Sequence, residues 1–179
     1  MKNKLKRFTE LLLEWNKIHN LTGAKTPQDV EKNIDDSLFP TTFIDKPSSI
    51  LDVGTGAGFP GMILAIAYPD VRTVLCEPRK KRAMFLKYVA MELELSNVEV
   101  AKIRVEDYSS EPFGLISSRA VTDTKMLLNL TNHLQSNDTK YLFYKGEQVF
   151  SELEAVDSSL DYDIIEKHQR NYLYIKGLV

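Results

Sequence analysis

Leu5, Phe8, Leu12, Trp15 and Ile18 recur at spacings of three and four, the period of one face of an α-helix. They predict a helix over residues 3–19, ended by Asn20 and Gly23. Thr26 followed by Pro27 reads as an N-cap with proline in the first turn, opening a second helix that runs towards Leu38. Pro40 and Pro47 bracket a connector, and after it the rhythm changes. Short apolar runs now alternate with helical segments: ILDV at 50–53, a helix from Pro60 to Ala67, RTVLCE at 72–77, and a long helix over about 80–95. VEVAKI at 98–103, LISS at 115–118, a helix over about 124–134 and KYLFYK at 140–145 continue the series. Such alternation requires parallel strands joined by right-handed crossovers, a doubly wound α/β sheet. YDIIEKH and NYLYIKG are separated by too few residues for a crossover, so they form a hairpin, one strand of which runs antiparallel. The expected architecture is a mostly parallel seven-stranded sheet over residues 48–179, with an antiparallel strand in its C-terminal hairpin. A helical extension, residues 1–47, precedes it.

With 179 residues, 43% hydrophobic and 27% charged, the chain has the composition of a folded globular domain rather than a disordered one. The formal net charge of −2 excludes a polycation, so any nucleic-acid contact must come from a local patch. Residues 1–25 hold six Lys or Arg against two acids, whereas residues 147–166 hold seven acids and no Lys or Arg. A single cysteine, Cys76, excludes an internal disulfide and a multi-cysteine zinc site. In its apolar run Cys76 reads as a buried filler. His19, His133 and His168 show no metal-ligand spacing, and no metal is expected. No apolar run reaches membrane-spanning length, and the charged start MKNKLKRFTELLLEWNK is not a signal peptide, so a cytoplasmic location without membrane association is expected.

The candidate chemistry lies in DVGTGAGFPG, residues 52–61, where four glycines (Gly54, Gly56, Gly58 and Gly61) share eight positions. Glycine is needed where backbone takes positive φ or approaches a ligand closely. A strand ending at Val53 and turning through these glycines is expected to leave its amides free at the carboxyl edge of the sheet, where ligands of such folds bind. GAGFPG also matches the G-x-G-x-x-G of dinucleotide binders. Glu77, 21 residues after Gly56 at the tip of the second strand, can accept both ribose hydroxyls of an adenosine. That serves NAD and S-adenosylmethionine equally. Asp52 discriminates: a carboxylate at the bend repels a pyrophosphate and favours an ammonium or sulfonium. Glu106 and Asp107, after the third strand, supply an acceptor where an adenine amino group would lie. Three acidic sites around one bend suit a cationic cofactor.

DVGTGAGFPG together with EPRKKRAMFL, RVEDY, SSRA and YKG closely resembles the RsmG (GidB) family of small-subunit ribosomal RNA guanine-N7 methyltransferases, over nearly the whole chain. WNKIHNLT and the DDSL at 35–38 also fit that family. The resemblance implies a Rossmann-like class I methyltransferase fold and S-adenosyl-L-methionine as methyl donor. The implied substrate is guanine 527 in the 530 loop of 16S rRNA, expected within the small ribosomal subunit. Separately, no apolar surface helix demands a partner, so a monomer is expected. The resemblance also implies cofactor contacts at Gly54, Phe59, Val105, Glu106 and Arg119, to which the chemistry above adds Asp52, Gly56 and Glu77. Lys145 matches a family lysine expected to face the target base, at its O6 or an adjacent phosphate. Arg119 is expected to anchor the cofactor carboxylate. Asn33 stands where the family usually has histidine and Pro78 where a serine is common, and neither is assigned a role.

Guanine N7 carries a lone pair and no proton, so no general base is expected and none of the three histidines is read as catalytic. Phosphates are held by Lys and Arg, and the clusters available are Arg79, Lys80, Lys81 and Arg82, the main RNA-binding candidate, and Lys2, Lys4, Lys6 and Arg7. Trp15, Phe8 and Leu12 read as helix core rather than a base-stacking platform. Two rival functions remain at this level: a methyltransferase for a small molecule or protein on the same fold, and an NAD-binding regulatory module.

Overall fold

The computed structural model describes residues 1–156 and 160–178. In chain order the elements are α1 (Lys2–His19), α2 (Pro27–Leu38), β1 (Ser49–Val53), α3 (Gly61–Ala67), β2 (Arg72–Cys76), α4 (Lys80–Glu92) and β3 (Val98–Ala101). Then follow β4 (Leu115–Arg119), α5 (Thr124–Thr131), β5 (Lys140–Lys145), α6 (Val149–Glu154), β6 (Leu160–Lys167) and β7 (Arg170–Leu178). Short 3-10 turns occupy Phe39–Thr42, Val105–Asp107 and Asn132–Leu134.

The central strands are apolar on both faces, as strands covered by helices on two sides must be. In β1 every residue after Ser49 is buried, and Leu51 pairs with Val74 on one side and Ile116 on the other. The sheet order is β3-β2-β1-β4-β5-β7-β6, with the first five strands in chain order parallel and β7 antiparallel to both neighbours. This is the doubly wound sheet with a C-terminal hairpin that the sequence pattern predicts. Chain order reverses between β1 and β4, which opens a crevice at their carboxyl ends, the ligand position of such sheets. Because β7 runs against β5, pairing Lys145 with Asn171, the β6–β7 turn lands on that same carboxyl rim.

On one face, α1, α2, α3 and α4 share a single apolar cluster with Leu75 of β2. The opposite face packs β-strand residues such as Leu51, Ile116 and Phe143 against Leu127 of α5 and Val149 of α6. The N-terminal helices are therefore built into the core that carries the glycine bend. Phe8 is fully buried, with its ring 5.4 Å from Phe59 and 6.3 Å from Phe85. Trp15 packs on Phe85 and Tyr88 at 5.6 and 5.4 Å, a core role as expected.

Local devices follow the sequence closely. Asn20 ends α1 in the left-handed region at φ 49°. Thr26 and Asp29 form a reciprocal capping box at the start of α2. Within WNKIHNLT, Asn16 satisfies three backbone groups of the connecting loop, donating to the Thr22 and Ala24 carbonyls and accepting from the Thr22 amide. Other details differ. Ile18 is 77% exposed while Leu11 is fully buried, so the apolar stripe of α1 runs through Phe8, Leu11, Leu12 and Trp15. The long helix stops at Glu92 rather than near residue 95, because the chain turns through Glu94 at φ 50°. The helix after β4 ends at Thr131 and passes into a 3-10 turn, and the acidic stretch after β5 holds a further short helix, α6, that no pattern in the sequence marks.

Removing the Phe8 ring leaves a void beneath Phe59 and the bend. Phe8→Ala is expected to cost about 3–5 kcal/mol of folding free energy, measured by denaturant titration. A cost below 1 kcal/mol would mean that α1 does not belong to the core.

Candidate active site

The bend after β1 is held in place from inside. Gly54, Gly56 and Gly58 sit at φ 64°, 62° and 102°, conformations that other residues adopt only under strain. The amides of Gly54 and Thr55 both donate to the Cys76 carbonyl, at 2.9 and 3.2 Å. Those of Gly58 and Phe59 donate to Thr55, and the Gly56 amide donates to Glu77 Oε2 at 3.0 Å. The expectation of free amides therefore needs correction: five amides of the bend already have internal partners. The Gly54 and Gly56 carbonyls take no amide of the bend.

Asp52 is also placed differently from expectation. It is fully buried, with Oδ2 accepting from the Gly61 amide at 2.9 Å and Oδ1 from the Ser117 hydroxyl at 2.7 Å. The carboxylate thus caps the first amide of α3 and does not line an open surface, so direct contact with a ligand is replaced by support of the bend. Burial pushes its carboxyl up to about 6, against the opposing pull of Thr55, Ser117, the Gly61 amide and the Arg119 charge. The buried Thr55 hydroxyl faces that carboxylate without reaching hydrogen-bond geometry. Gly61 has no room for a side chain, since a Cβ there would lie 2.6 Å from Asp52 Cβ and 2.5 Å from Leu75 Cδ2.

Glu77 stands at the tip of β2, 3% exposed, accepting from the amides of Gly56 and Arg79, with Arg82 at 3.9 Å. Val105 is buried and Glu106 exposed on the neighbouring 3-10 turn, where Glu106 pairs with Arg104 at 3.5 Å. Phe59 is buried in the bend, and the Arg119 guanidinium lies 5.0 Å from its ring centre. Gly54, Gly56, Phe59, Glu77, Val105, Glu106 and Arg119 therefore share the carboxyl ends of β1, β2 and β4 and the turn after β3. Cys76 is buried and its thiol is pushed up to about 12, chiefly by burial, which makes it inert as expected.

At the β4 end the structure assembles a network that sequence spacing does not show. Arg119 donates to Asp36 Oδ2 and Asn33 Oδ1, both at 3.0 Å. Asp36 Oδ1 in turn accepts from Arg170 at 3.0 Å and from the Tyr172 hydroxyl at 2.8 Å. One carboxylate on α2 so ties β4 to β7. Its partners lie 83 to 136 positions away in the chain, so no local pattern marks it. Asn33, left without a role above, is a direct partner of the site arginine. Ala120, next to Arg119, sits at φ 55°, a strained conformation for a non-glycine residue at the rim of the crevice.

Lys145 is not directed into an open crevice, which corrects the expectation that it faces a base. Only 8% exposed, it donates to Glu152 Oε2 at 2.7 Å and to the Thr122 carbonyl at 2.9 Å. Burial pushes the Glu152 carboxyl up, but the bonds from Lys145 and Thr124 more than offset this and leave it lowered. The pair fixes α6 against the loop after β4. Arg79, Lys80 and Lys81 are exposed at the start of α4, and Arg82 is half-buried beside Glu77.

A seven-stranded sheet with this strand order, carrying a glycine bend and acids at its carboxyl edge, defines the Rossmann-like methyltransferase class. Solved structures agree on the fold. A methyltransferase from Geobacter sulfurreducens superposes with a TM-score of 0.69 at 11% identity, covering 96% of this chain and 88% of its own. A ribosomal protein L11 methylase from Lactobacillus delbrueckii subsp. bulgaricus gives 0.66 at 17% identity, covering 88% and 81%. MtNAS, solved in complex with S-adenosylmethionine, gives 0.66 at 12%, covering 99% and 76%. Within that class the chain belongs to the GidB family, described as rRNA small subunit methyltransferase G, whose model matches residues 1–176. It is 49% identical over 172 residues to the ribosomal RNA small subunit methyltransferase G of Aliarcobacter butzleri, covering 96% of this chain and 88% of the relative. The protein of the same name from Wolinella succinogenes is 49% identical over 178 residues, covering 99% and 91%.

Between about pH 4 and 6 the folded chain keeps a proton on Asp52 that the unfolded chain has released, so this group's contribution to stability falls as pH rises through that window. Asp52→Asn stays neutral throughout. Its stability relative to wild type is expected to rise by on the order of 3 kcal/mol between pH 4 and pH 7, measured by unfolding at both values. A pH-independent difference would show that burial does not raise this carboxyl.

Proposed function

We propose that the chain transfers a methyl group from S-adenosyl-L-methionine to N7 of guanine 527 in the 530 loop of 16S rRNA, acting as a cytoplasmic monomer on the small ribosomal subunit. The observation that carries the choice of cofactor is the Asp52 carboxylate on the first amide of α3. In a dinucleotide corner the pyrophosphate occupies that helix N-terminus. Here a buried carboxylate stands there already, and the amides of Gly54, Thr55, Gly56, Gly58 and Phe59 are engaged within the protein. The rim is dominated by carbonyl oxygens and carboxylates, an acceptor set that suits an ammonium and a sulfonium and disfavours phosphate. Family membership supports ribosomal RNA as the substrate over a small molecule or a protein.

The residues present fit that cofactor. Glu77 would take the ribose hydroxyls, Val105 and Glu106 would flank the adenine, and Gly54 and Gly56 would let the ligand approach the backbone. Phe59 and Arg119 would hold the methionine end, the guanidinium taking its carboxylate. When bound, S-adenosylmethionine supplies the activated methyl group; the protein supplies placement. Guanine N7 has no proton to remove, so catalysis rests on alignment, from which well-oriented reactants gain about 7–11 kcal/mol. Accordingly, the histidines have other surroundings: His19 packs on Trp15, His133 bonds the Tyr108 carbonyl, and His168 lies in the β6–β7 turn.

In thermal-shift titration S-adenosylmethionine is expected to stabilise the protein, by about 2.7 kcal/mol at 100 times its Kd, and NAD to leave it unchanged. Stabilisation by NAD alone would overturn the assignment. Arg119→Ala is expected to weaken cofactor binding by roughly 10- to 100-fold, the worth of a hydrogen bond between charged groups. Mass mapping of 16S rRNA from cells with and without the active protein is expected to show 7-methylguanine at position 527 only when it is present.

A further inference from the structure

Between α2 and the β6–β7 turn lies a groove of about 540 Å³, lined by Lys32, Asp35, Asp36, Lys167, His168 and Arg170 among others. We infer that this groove takes the sugar–phosphate strand of the RNA substrate, with Lys32, Lys167 and His168 as its phosphate contacts. The inference rests on RNA being the substrate, and it moves the principal contact surface away from the start of α4.

Position argues for it first. Glu77, the ribose acceptor, lies at β2, and Arg119 lies at β4, so the reacting end of the site points along the rim towards β5 and β7. The groove opens on that rim and shares Asp36 with Arg119. Arg79, Lys80, Lys81 and Arg82 follow β2, on the ribose side.

Charge argues for it next. Asp36 is neutralised by Arg119 and Arg170, which leaves Asp35 as the carboxylate opposing the cations of the groove. Lys32 and Lys167 form no ion pair among the described residues, and the Lys167 ammonium is parked 4.2 Å from the centre of the Phe39 ring. His168 is exposed at the tip of the turn and offers a ring N–H. By contrast, the N-terminal cluster is partly spent: Arg7 pairs with Glu10 and Glu92, and Lys4 bonds the Glu94 carbonyl. A groove with unpaired lysines beside a methyl-transfer site has the chemistry that holds phosphates and positions a base.

The test is binding of deproteinised 16S rRNA, and separately of assembled small subunits, across a salt series. The proteins compared are wild type, Lys32→Ala/Lys167→Ala, His168→Ala and the charge-retaining Lys32→Arg/Lys167→Arg. The double alanine variant is expected to bind rRNA about tenfold more weakly, with a log–log salt slope shallower by about 1.4–1.8, at 0.7–0.9 per lost phosphate contact. The arginine variant is expected to restore both, and the alanine variant to keep the wild-type thermal shift with S-adenosylmethionine, which shows an intact fold. His168→Ala is expected to weaken binding with the slope unchanged. Wild-type affinity and slope in the double alanine variant would overturn the inference while leaving RNA as substrate. Loss of binding to subunits but not to free rRNA would assign the groove to a ribosomal protein and overturn it too. Wild-type protein that binds neither form would remove the RNA substrate itself, and this groove's role with it.

Discussion

Two buried carboxylates hold the functional edge of this protein together. Asp52 reaches forward to the first amide of α3 and Glu77 reaches across to the Gly56 amide, so the glycine bend is clamped between its own helix and the neighbouring strand. Glycine gives the bend its left-handed backbone, but glycine is also the residue that loses most freedom on folding. The clamps offset that loss and leave one conformation. They also bear on chemistry. An amide engaged by a carboxylate is closed to a phosphate, so the bonds that order the bend close the Gly56 and Gly61 amides within an apparent dinucleotide fingerprint.

Charge is handled in a similar way at the other end of the crevice. Arg119 is held against the Phe59 ring and satisfied by Asp36 and Asn33. The protein's own side chains keep it in place, so the geometry of the guanidinium is set within the fold. The same Asp36 carboxylate holds Arg170 and Tyr172, so α2, β4 and β7 meet at one atom pair. Lys145 and Glu152 repeat the device one strand further on, fixing the loop after β4. The crevice is thus walled by side chains that answer one another across long stretches of chain. That is how a short chain keeps several charged groups near a site without leaving them unpaired, which burial would make costly.

Much of this was legible in the chain. Hydrophobic period marks α1, the Thr26–Pro27 cap marks α2, short apolar runs mark β1 to β5, and the closely spaced YDIIEKH and NYLYIKG require the antiparallel hairpin. Helix starts were legible where a side chain caps them, as at Thr26, because capping is local. Ends were less so: α4 stops where the chain turns at Glu94, a matter of backbone space rather than of pattern. Of the site, the residues following each strand were legible, since the carboxyl edge of a parallel sheet gathers them whatever else the fold does.

What the sequence by itself determined was therefore the sheet, its class, and the set of residues delivered to one rim. Tertiary structure decided what each of them does there. Asp52 and Lys145 both look, in one dimension, like groups aimed at a ligand, and packing turns both inward onto partners of the protein itself. Asn33 and Asp36 look like two polar residues of a surface helix, and packing places them on Arg119. The physical reason is the same in each case. A charge near a low-dielectric core must find an opposite charge or a hydrogen-bond partner, and which one is in reach depends on segments that meet only after the sheet has formed.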